Sequence, residues 1–414
     1  MLSEELVYEL RSKIRSGIDF GGALSDEELM EKTERVVFQW CQAHPVTVSD
    51  KVKLVKRLFY SFRGLDILQP LMEDPDISEI MINSHTELFI ERHGVMTRYP
   101  AAFESREKLE DLIQSIVASV NRVVNESTPI VDARLKDGSR VHVVLPPVAL
   151  KGPCMTIRKF PGEPMTMEEL IRRHAVSPEA VQFLGELVEA KYNIFISGGT
   201  GTGKTTFLNA LSRYIPSDER IVTIEDSAEL RIEGVSNLVA METRNANTEG
   251  KGEMTIRDLI RASLRMRPNR IIVGEVRGAE ALDMLQALNT GHDGSLSTGH
   301  ANSCLDMVSR LETMVLSGAE LPLQVIRKQI SSAIDIMIHL ARFRDGTRKV
   351  FEISEVLGVE DGEVKLSPLF LYQEEGERNG RVMGMLRKTD VVLRSTEKLG
   401  LAGKAAGTPE GGSL

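Results

Sequence analysis

The sequence lacks several features that define common protein classes. No apolar run approaches the roughly 20 residues that a membrane-spanning helix requires. Residues 1–17 mix both charge signs and lack the apolar core of a secretion signal. From these absences we expect a cytosolic protein. The formal net charge of −9 also gives the chain no overall attraction to DNA or anionic lipid.

Cysteine and aromatic residues are scarce. The three cysteines, Cys41, Cys154 and Cys304, are widely spaced and form no Cys-x-x-Cys pair, which excludes a zinc ribbon and a disulfide framework. We expect each to serve as a small buried hydrophobic residue. Aromatic residues make up 5% of the chain, and none lies between Tyr214 and Phe343. A site for single-stranded nucleic acid needs aromatic side chains among its basic residues.

The chain does contain the pattern of a phosphate-binding loop. The apolar run Ile194-Phe195-Ile196 has the length of a buried strand, and Gly-x-x-x-x-Gly-Lys-Thr and a helix-like apolar pattern follow it. The glycines let backbone N–H groups turn toward phosphate oxygens, and the helix N-terminus and the lysine add positive charge. We predict that the whole loop contacts a nucleotide through Gly198, Gly199, Thr200, Gly201, Thr202, Gly203, Lys204, Thr205 and Thr206.

Hydrophobic periodicity divides the 414 residues into regions of different type. Helical spacing predicts three helices in residues 1–65. Short β-like runs joined by hairpin turns at His93-Gly94 and Asp137-Gly138 predict an α+β domain in 66–160. A Pro- and Gly-containing linker is predicted at 161–176. Residues 177–370 alternate strand and helix, which predicts an α/β domain with a mostly parallel sheet. Residues 371–414 form an extension, whose tail after about residue 396 we expect to be disordered.

Acidic residues follow two predicted strands of the α/β domain. Glu225, Asp226 and Glu229 follow one apolar run, and Glu275 follows another. The carboxyl ends of parallel strands are where such sheets bind ligands. Hydrolysis of a nucleotide needs a group that orients the water attacking the phosphate, and a metal ion. Glu275 can therefore orient that water or bind Mg²⁺ through water. The group at 225–229 suits a cation, or alternatively marks a solvated helix start.

Two histidines, His292 and His300, lie in a loop rich in Gly, Ser and Thr, downstream of Glu275. This placement predicts contact with a γ-phosphate or with a nearby carboxylate. No cysteine lies at the spacing of a zinc ligand, which argues against a zinc site.

Five arginines precede Glu275, and two of them, Arg261 and Arg265, are four residues apart and share a helix face. Three interpretations remain open for this basic run. It is a solvated face, a nucleic-acid patch, or a set of donors to phosphate. The missing aromatics argue against the second. The five residues are Arg257, Arg261, Arg265, Arg267 and Arg270.

Together these motifs resemble the type II/type IV secretion ATPase superfamily, and specifically its CpaF branch of Tad/Flp pilus ATPases. The matching stretches are DPDISEIMIN at 74–83, PIVDARLKDGSRV at 129–141, IEDSAEL at 224–230, LRMRPNRIIVGEVRG at 264–278 and NTGHDGSLSTGHANS at 289–303. The resemblance covers roughly residues 60–360. Asn269 stands where an aspartate is expected, and the four-cysteine insertion of the type II secretion and PilB-like branches is absent.

The resemblance implies a homohexameric ring, in which a PAS-like N-terminal domain and a RecA-like motor domain hold ATP and Mg²⁺ between them. It implies that Glu275 is the general base and that Glu225 is the Asp-box carboxylate. The implied Mg²⁺ neighbours are Thr205, Glu225 and Glu275. The implied His-box residues are His292 and His300. The implied arginine fingers are Arg134 and Arg158, with Arg140 as a lesser candidate, and the implied phosphate-sensing or intersubunit arginines are Arg261 and Arg265.

The implied activity is ATP hydrolysis that drives an inner-membrane platform protein to add pilins to a fibre or extract them. The protein would be cytoplasmic and peripheral at the inner membrane, with no nucleic-acid partner. One alternative is a type IV secretion or competence motor with another cargo. Other classes are a RecA-like nucleic-acid translocase and a nucleotide-gated switch that barely hydrolyses ATP.

Overall fold

The computed structural model describes residues 4–16, 25–44, 46–120, 122–160, 164–244, 246 and 251–404. The chain separates into two compact units, residues 1–162 and 163–414, and each is described by itself. In the described ranges, no helix combines the length and the apolar character needed to cross a bilayer.

The first unit begins with the three predicted helices, α1 (Glu4–Ser16), α2 (Asp26–Ala43) and α3 (Val48–Phe62). The hydroxyls of Ser25 and Thr47 accept hydrogen bonds from backbone amides in the first turns of α2 and α3, which fixes where these helices begin. The apolar faces of the three helices form a small core of their own. Its buried residues include Val7, Leu10, Leu29, Val37, Leu54 and Leu58.

An antiparallel six-stranded sheet follows, after the short helix α4 (Gln69–Glu73). Its strands are β1 (Ile77–Ser84), β2 (Glu87–Arg92), β3 (Val95–Arg98), β4 (Ile130–Arg134), β5 (Arg140–Val144) and β6 (Cys154–Arg158). They are arranged in the order β3-β2-β1-β6-β5-β4. Helix α5 (Arg106–Ser119) shares one hydrophobic cluster with this sheet. The α+β organisation and the hairpins predicted at 93–94 and 137–138 are confirmed.

The second unit is built on a nine-stranded sheet in the order β15-β14-β13-β12-β7-β11-β10-β8-β9. Its six parallel strands are β7 (Ile194–Gly198), β8 (Arg220–Glu225), β9 (Asn237–Glu242), β10 (Arg270–Val273), β11 (Leu296–Gly299) and β12 (Ile336–Arg342). Beyond β12 the sheet continues with antiparallel pairing. Those strands are β13 (Arg348–Glu360), β14 (Glu363–Arg378) and β15 (Arg381–Lys388).

Helices cover both faces of this sheet. They are α6 (Met167–Arg172), α7 (Pro178–Glu189), α8 (Lys204–Ser212), α9 (Ile256–Ser263), α10 (Glu280–Leu288), α11 (Cys304–Gly318) and α12 (Leu323–Ala333). Along β7, Ile194 and Ile196 enter one hydrophobic core, and Phe195 enters the other. A parallel sheet buried on both faces explains why its strands are continuous apolar runs. The RecA-like α/β fold that we predicted is confirmed.

Most of the predicted linker at 161–176 belongs to the second unit. Residues 161–163 lie outside the described residues. Helix α6 follows, and its Met167 and Leu170 are buried in the core of the second unit. We predicted a longer linker because a Pro-Gly pair is typical of linkers, and the few apolar residues after it gave only a weak indication of a helix.

The C-terminal segment also differs from the prediction. Residues 389–404, which we call the C-terminal strap, include the helix α13 (Glu397–Leu401) and were expected to be partly disordered. Leu399 is buried in the core, and the Glu355 carboxylate accepts hydrogen bonds from the backbone amides of Arg394 and Ser395. These few anchors offset the entropy of ordering a polar segment, and composition alone does not reveal them. Residues 405–414 lie outside the described residues.

The strap lies at the amino ends of the parallel strands, which we call the amino edge. Lys398 Nζ lies 2.7 Å from carboxylate oxygens of both Asp293 and Asp335, which precede β11 and β12. Asp335 also accepts the backbone N–H of Asn193 at 2.7 Å, before β7. The Tyr192 hydroxyl donates to the carbonyl of Ser395. One lysine of the strap thus joins the starts of three adjacent strands.

A buried ion pair fixes another strand at the same edge. Arg270, the first residue of β10, is fully buried, and its guanidinium contacts both oxygens of Glu219 at 2.5 and 3.0 Å. It also donates to the carbonyls of Val188 and Gly294 at 2.6 and 3.2 Å. None of the three interpretations offered for the basic run applies to Arg270, because it is a core residue.

Candidate active site

The phosphate loop lies between β7 and α8, at the opposite edge of the sheet. Gly203, at the start of α8, has φ of 93°, in the left-handed region that favours glycine. A Cβ at Gly198 would lie 2.6 Å from the carbonyl oxygen of Leu340 on β12. The backbone of the loop therefore requires glycine at both ends of the motif. The predicted sequence of strand, loop and helix is confirmed.

Lys204 is buried in the loop that it belongs to. Its Nζ donates to the carbonyls of Gly198 and Gly199, both at 3.1 Å. It also lies 3.1 Å from Nδ1 of His300. Burial lowers the pKa of Lys204, while Glu275 acts in the opposite direction. The lysine is therefore held in place by neutral groups that phosphate oxygens can replace.

His300 connects Lys204 to Glu275. It follows β11, which lies between β7 and β10 in the sheet, and its Nε2 lies 2.9 Å from Oε1 of Glu275. Burial and the Lys204 charge lower the pKa of His300 from its ordinary value. The ring is therefore neutral at pH 7. Because Nδ1 faces an ammonium group, it acts as the acceptor, and the ring proton lies on Nε2, toward Glu275.

Glu275 follows β10, and its two oxygens have different surroundings. Oε2 accepts a hydrogen bond from Nη2 of Arg277 at 2.9 Å. Oε1 is buried, and no well-aligned hydrogen-bond donor reaches it from the described part of the chain, although His300 is close. A buried carboxylate oxygen with spare acceptor capacity suits a water molecule whose proton it can take.

Glu225 is buried, whereas its neighbour Asp226 is exposed. It ends β8 with 4% of its surface exposed, and its Oε1 accepts the backbone N–H groups of Glu229 and Leu230 at 2.7 and 2.9 Å. Burial raises its pKa to about 7. Asp226 is exposed and lies 4.0 Å from Arg277. The metal-side role predicted for Glu225 stays a prediction, because its carboxylate here closes its own loop.

A magnesium ion fits this site only together with the phosphates of its substrate. Among the residues that the structure describes, no three His, Cys, Asp or Glu side chains are grouped to hold a metal ion. Magnesium in nucleotide sites usually keeps several waters and binds one or two protein oxygens plus phosphates. Thr205, partly exposed in the first turn of α8, is placed for such a contact.

The two histidines do not share one site. His292 lies before β11, and its Nδ1 is 3.2 Å from the carbonyl oxygen of Ala287 at the end of α10. His300 lies after β11, at the phosphate loop. Strand β11, Leu296–Gly299, separates them. We expected both histidines to contact a γ-phosphate or a nearby carboxylate, because small polar residues concealed this strand within what looked like a single loop. The structure does not bring His292 to the phosphate loop of its own chain.

The remaining members of the basic run also differ in their surroundings. Arg257 and Arg261 on α9 both contact Asp283 on α10, at 2.6 and 2.9 Å, and Asp283 is 6% exposed. Arg265 lies beyond the end of α9 and is exposed. The phosphate-sensing role of Arg261 and Arg265 is therefore still a prediction. For Arg261 it requires that the guanidinium leave Asp283 and bind a phosphate instead.

In the first unit, the sheet register aligns the three arginine-finger candidates. Arg134 lies opposite Arg140, and Arg140 lies opposite Arg158. Residues opposite each other on neighbouring strands point to the same face. The guanidinium carbon of Arg134 also lies 5.7 Å from the centre of the Phe160 ring. Arg158 also lies 3.6 Å from Glu79 on β1. A row of guanidinium groups on one face is a surface that suits an anion.

Two further arginines at this end of the sheet were missed in the sequence. Arg277 contacts Glu275, and its position two residues after a strand-end glutamate could have indicated this. Arg348 begins β13, and its Cδ lies 3.9 Å from where a Cβ of Gly203 would be. Its proximity to the loop depends on the pairing of β13 with β12 and of β12 with β7, which the sequence does not show.

A model of the family described as "Type II/IV secretion system protein" matches residues 62–393 of this chain. The chain belongs to this family. A putative conjugal transfer protein of Mycobacterium tuberculosis is 36% identical over 308 residues, covering 73% of this chain and 87% of its own. The type IV secretion system protein VirB11 of Brucella suis is 32% identical over 320 residues, covering 70% and 88%.

Solved structures of similar fold include the ATPase DotB of Legionella pneumophila, with a TM-score of 0.51 and 22% identity over 72% of this chain and 81% of that one. The pilus retraction motor PilT with bound ADP also gives 0.51, with 18% identity over 82% and 87%. At these identities the likeness concerns the fold alone. Family membership, the complete phosphate loop and Glu275 make this type II/IV secretion family protein an ATPase.

Proposed function

We propose that the protein is a Mg²⁺-dependent, homohexameric motor ATPase for a Tad/Flp-type pilus, located in the cytoplasm at the inner membrane. The observation that carries the hydrolytic part is the series of contacts Lys204–His300–Glu275 at the carboxyl ends of adjacent strands. The CpaF-like stretches support the pilus assignment. Platform proteins of the membrane apparatus are its proposed partners.

In this proposal, each residue of the series has one task. Lys204 leaves the loop carbonyls for the β- and γ-phosphate oxygens. Glu275 Oε1 takes a proton from the water that attacks the γ-phosphorus, while the bond to the β–γ bridging oxygen breaks. His300, neutral and oriented by Lys204, keeps the Glu275 carboxylate aligned. Thr205 would hold magnesium together with the phosphates, and the ion would supply charge neutralisation.

The arginine row of the first unit is proposed to complete the site. Arg134, Arg140 and Arg158 would supply donors to the phosphates when the first unit closes on the motor domain. Their alignment on one face supports this role, because a single anion then meets several guanidinium groups. ATP binding would favour closure and hydrolysis would favour opening, and this cycle in a ring would move the platform.

A type IV secretion or conjugal transfer motor is the second candidate. The relatives favour it, because one is described as a conjugal transfer protein and another as VirB11. Deleting the gene in its host distinguishes the two proposals. Loss of pili with normal substrate secretion and DNA transfer supports the first, and the reverse supports the second.

The enzymatic proposal is tested by steady-state ATPase activity and native mass, with and without Mg²⁺, for the wild type, Arg134→Ala and the surface control Arg213→Gln. We expect a hexamer with Mg²⁺-dependent turnover that Arg134→Ala loses and the control keeps. An active monomer that is insensitive to Arg134→Ala would overturn the ring and the arginine assignment. Turnover that DNA stimulates, with steep salt dependence, would support a nucleic-acid translocase instead.

A further inference from the structure

The polar contacts at the carboxyl ends of the parallel strands, which we call the carboxyl edge, continue beyond Glu275. Moving across the sheet in the order β7-β11-β10-β8-β9, each strand end contributes a side chain that contacts the next. The series is Lys204 after β7, His300 after β11, Glu275 and Arg277 after β10, Asp226 after β8 and Thr243 after β9. The charged members alternate in sign.

Arg277 is the link between the two halves of this series. Its Nη2 donates to Oε2 of Glu275 at 2.9 Å, and its Nη1 lies 4.0 Å from Oδ2 of Asp226. Its main chain is fixed, because its backbone N–H donates to Oε1 of Glu280 at 2.6 Å, at the start of α10. One guanidinium thus lies within ion-pair distance of both carboxylates. It holds Glu275 through a hydrogen bond and reaches Asp226, between exposed side chains, at the longer distance.

Asp226 is anchored on its other side. Thr243, just after β9, donates its hydroxyl hydrogen toward Oδ1 of Asp226, at 3.0 Å. The main-chain carbonyl of Asp226 also lies 3.0 Å from that hydroxyl. The loop after β8 therefore has a defined contact with the end of β9, and Arg277 connects that loop to Glu275.

We propose that Arg277 is a positioning residue that fixes the Glu275 carboxylate, and that Asp226 acts on Glu275 through it. The inference rests on the proposed role of Glu275 as the base. Arg277 holds Oε2, so that Oε1 remains the oxygen offered to the attacking water. Movement of the loop after β8 then changes the orientation of Glu275 through Arg277.

Removing Arg277 should slow hydrolysis more than it weakens ATP binding. The residue lies two strands away from the phosphate loop, whereas its direct contact is the base. For Arg277→Gln we expect kcat to fall about 10- to 100-fold, since small displacements of a reacting group cost up to about that much. KM for ATP should change less than about threefold. Arg277→Lys should recover part of kcat, because its ammonium reaches one carboxylate but not two.

The dependence on Asp226 is tested with Asp226→Asn alone and combined with Arg277→Gln. If Asp226 acts through Arg277, Asp226→Asn alone lowers kcat and the double variant is no slower than Arg277→Gln. Wild-type kcat in Asp226→Asn overturns its role, and multiplied losses in the double variant show independent roles. The matched control is Arg213→Gln, which removes an ion pair with Glu233 elsewhere on the surface. Melting temperatures for all variants separate a kinetic defect from unfolding.

The outcomes distinguish this inference from the proposed base. Wild-type kcat in Arg277→Gln, with hydrolysis abolished in Glu275→Gln, overturns the positioning role and leaves the base in place. Wild-type hydrolysis in Glu275→Gln overturns both. Suppose that Arg277→Gln lowers kcat but also raises KM and lowers the melting temperature, and that Arg277→Lys restores none of the three. Arg277 then has a structural role only.

Discussion

The two edges of the nine-stranded sheet carry similar kinds of residues but hold them differently. At the amino edge, Arg270 and Glu355 are at most 1% exposed, and each has several hydrogen-bond partners. At the carboxyl edge, the side chains of Glu275 and His300 are 21% and 31% exposed. There, one oxygen of Glu275 lacks a well-aligned donor within the described residues.

From this difference we infer that side chains at the amino edge mainly stabilise the sheet, whereas those at the carboxyl edge take part in the chemistry. A fully satisfied buried network fixes one arrangement, because removing any member leaves an unpaired buried charge. A partly exposed set of contacts exchanges partners at lower cost, so phosphate and water can replace internal contacts. The comparison predicts that substitutions at the carboxyl edge lower rates, whereas those at the amino edge lower the free energy of unfolding.

The largest effect is expected from Glu275→Gln at the carboxyl edge. An amide cannot take the proton of the attacking water, so we expect kcat to fall at least about 10³-fold, or about 4 kcal/mol. Nucleotide affinity and melting temperature should remain near those of the wild type. ATPase assays, fluorescent-nucleotide titration and calorimetry measure the three quantities. A large fall in melting temperature would contradict the separation of the two edges.

The corresponding substitution at the amino edge is Arg270→Gln. It leaves Glu219 buried and without its bidentate partner, so we expect about 3–5 kcal/mol less free energy of unfolding. Denaturant unfolding of the wild type and the variant measures this loss. Arg213→Gln, which removes a partly exposed ion pair, should cost no more than about 1 kcal/mol. Equal losses in the two variants would show that burial does not set the cost.

The carboxyl edge includes one deeply buried carboxylate, and it should give a pH signature. Burial raises the pKa of Glu225 to about 7 from 4.5, so its contribution to stability is full below pH 4.5 and is lost as pH rises through 7. We expect the stability difference between wild type and Glu225→Gln to shift by about 2–3 kcal/mol between pH 5 and pH 8. The shift disfavours the wild type at pH 8. A difference independent of pH would contradict the burial argument.

The smallest effect should come from Lys398→Met in the strap. The substitution removes the cation shared by Asp293 and Asp335, and Asp335 then remains largely buried. We expect a loss of about 1–2 kcal/mol in unfolding free energy with little change in kcat. The matched control is Lys388→Met, whose contact with Glu179 is long and exposed, at 3.9 Å. A marked loss of kcat with unchanged stability would show that the strap acts on catalysis.

Much of this architecture could be predicted from local sequence. The phosphate loop has a fixed spacing and a fixed backbone requirement, and the buried strands are continuous apolar runs. Hairpins at Asp-Gly pairs were equally clear. These features depend on residues close together in the chain, so periodicity and turn chemistry reveal them.

What the sequence did not reveal depends on pairing between distant segments. The separation of His292 from His300 follows from a short strand of Leu, Ser, Thr and Gly, whose neighbours in the sheet, rather than its composition, make it a strand. The core position of Arg270 depends on Glu219, 51 residues earlier. The alignment of three arginines in the first unit likewise depends on strand register.

The C-terminal strap also has a consequence for how the chain is synthesised. Tyr192 contacts Ser395, 203 positions later, and Asp335 contacts Lys398, 63 positions later. At roughly 5–20 residues per second, about 10–40 s pass on the ribosome between the first pair of contacting residues. During that interval the phosphate loop and its strand already exist, but the amino edge lacks its closing segment. The amino edge of the nascent motor domain therefore remains open until the strap, residues 389–404, has been synthesised.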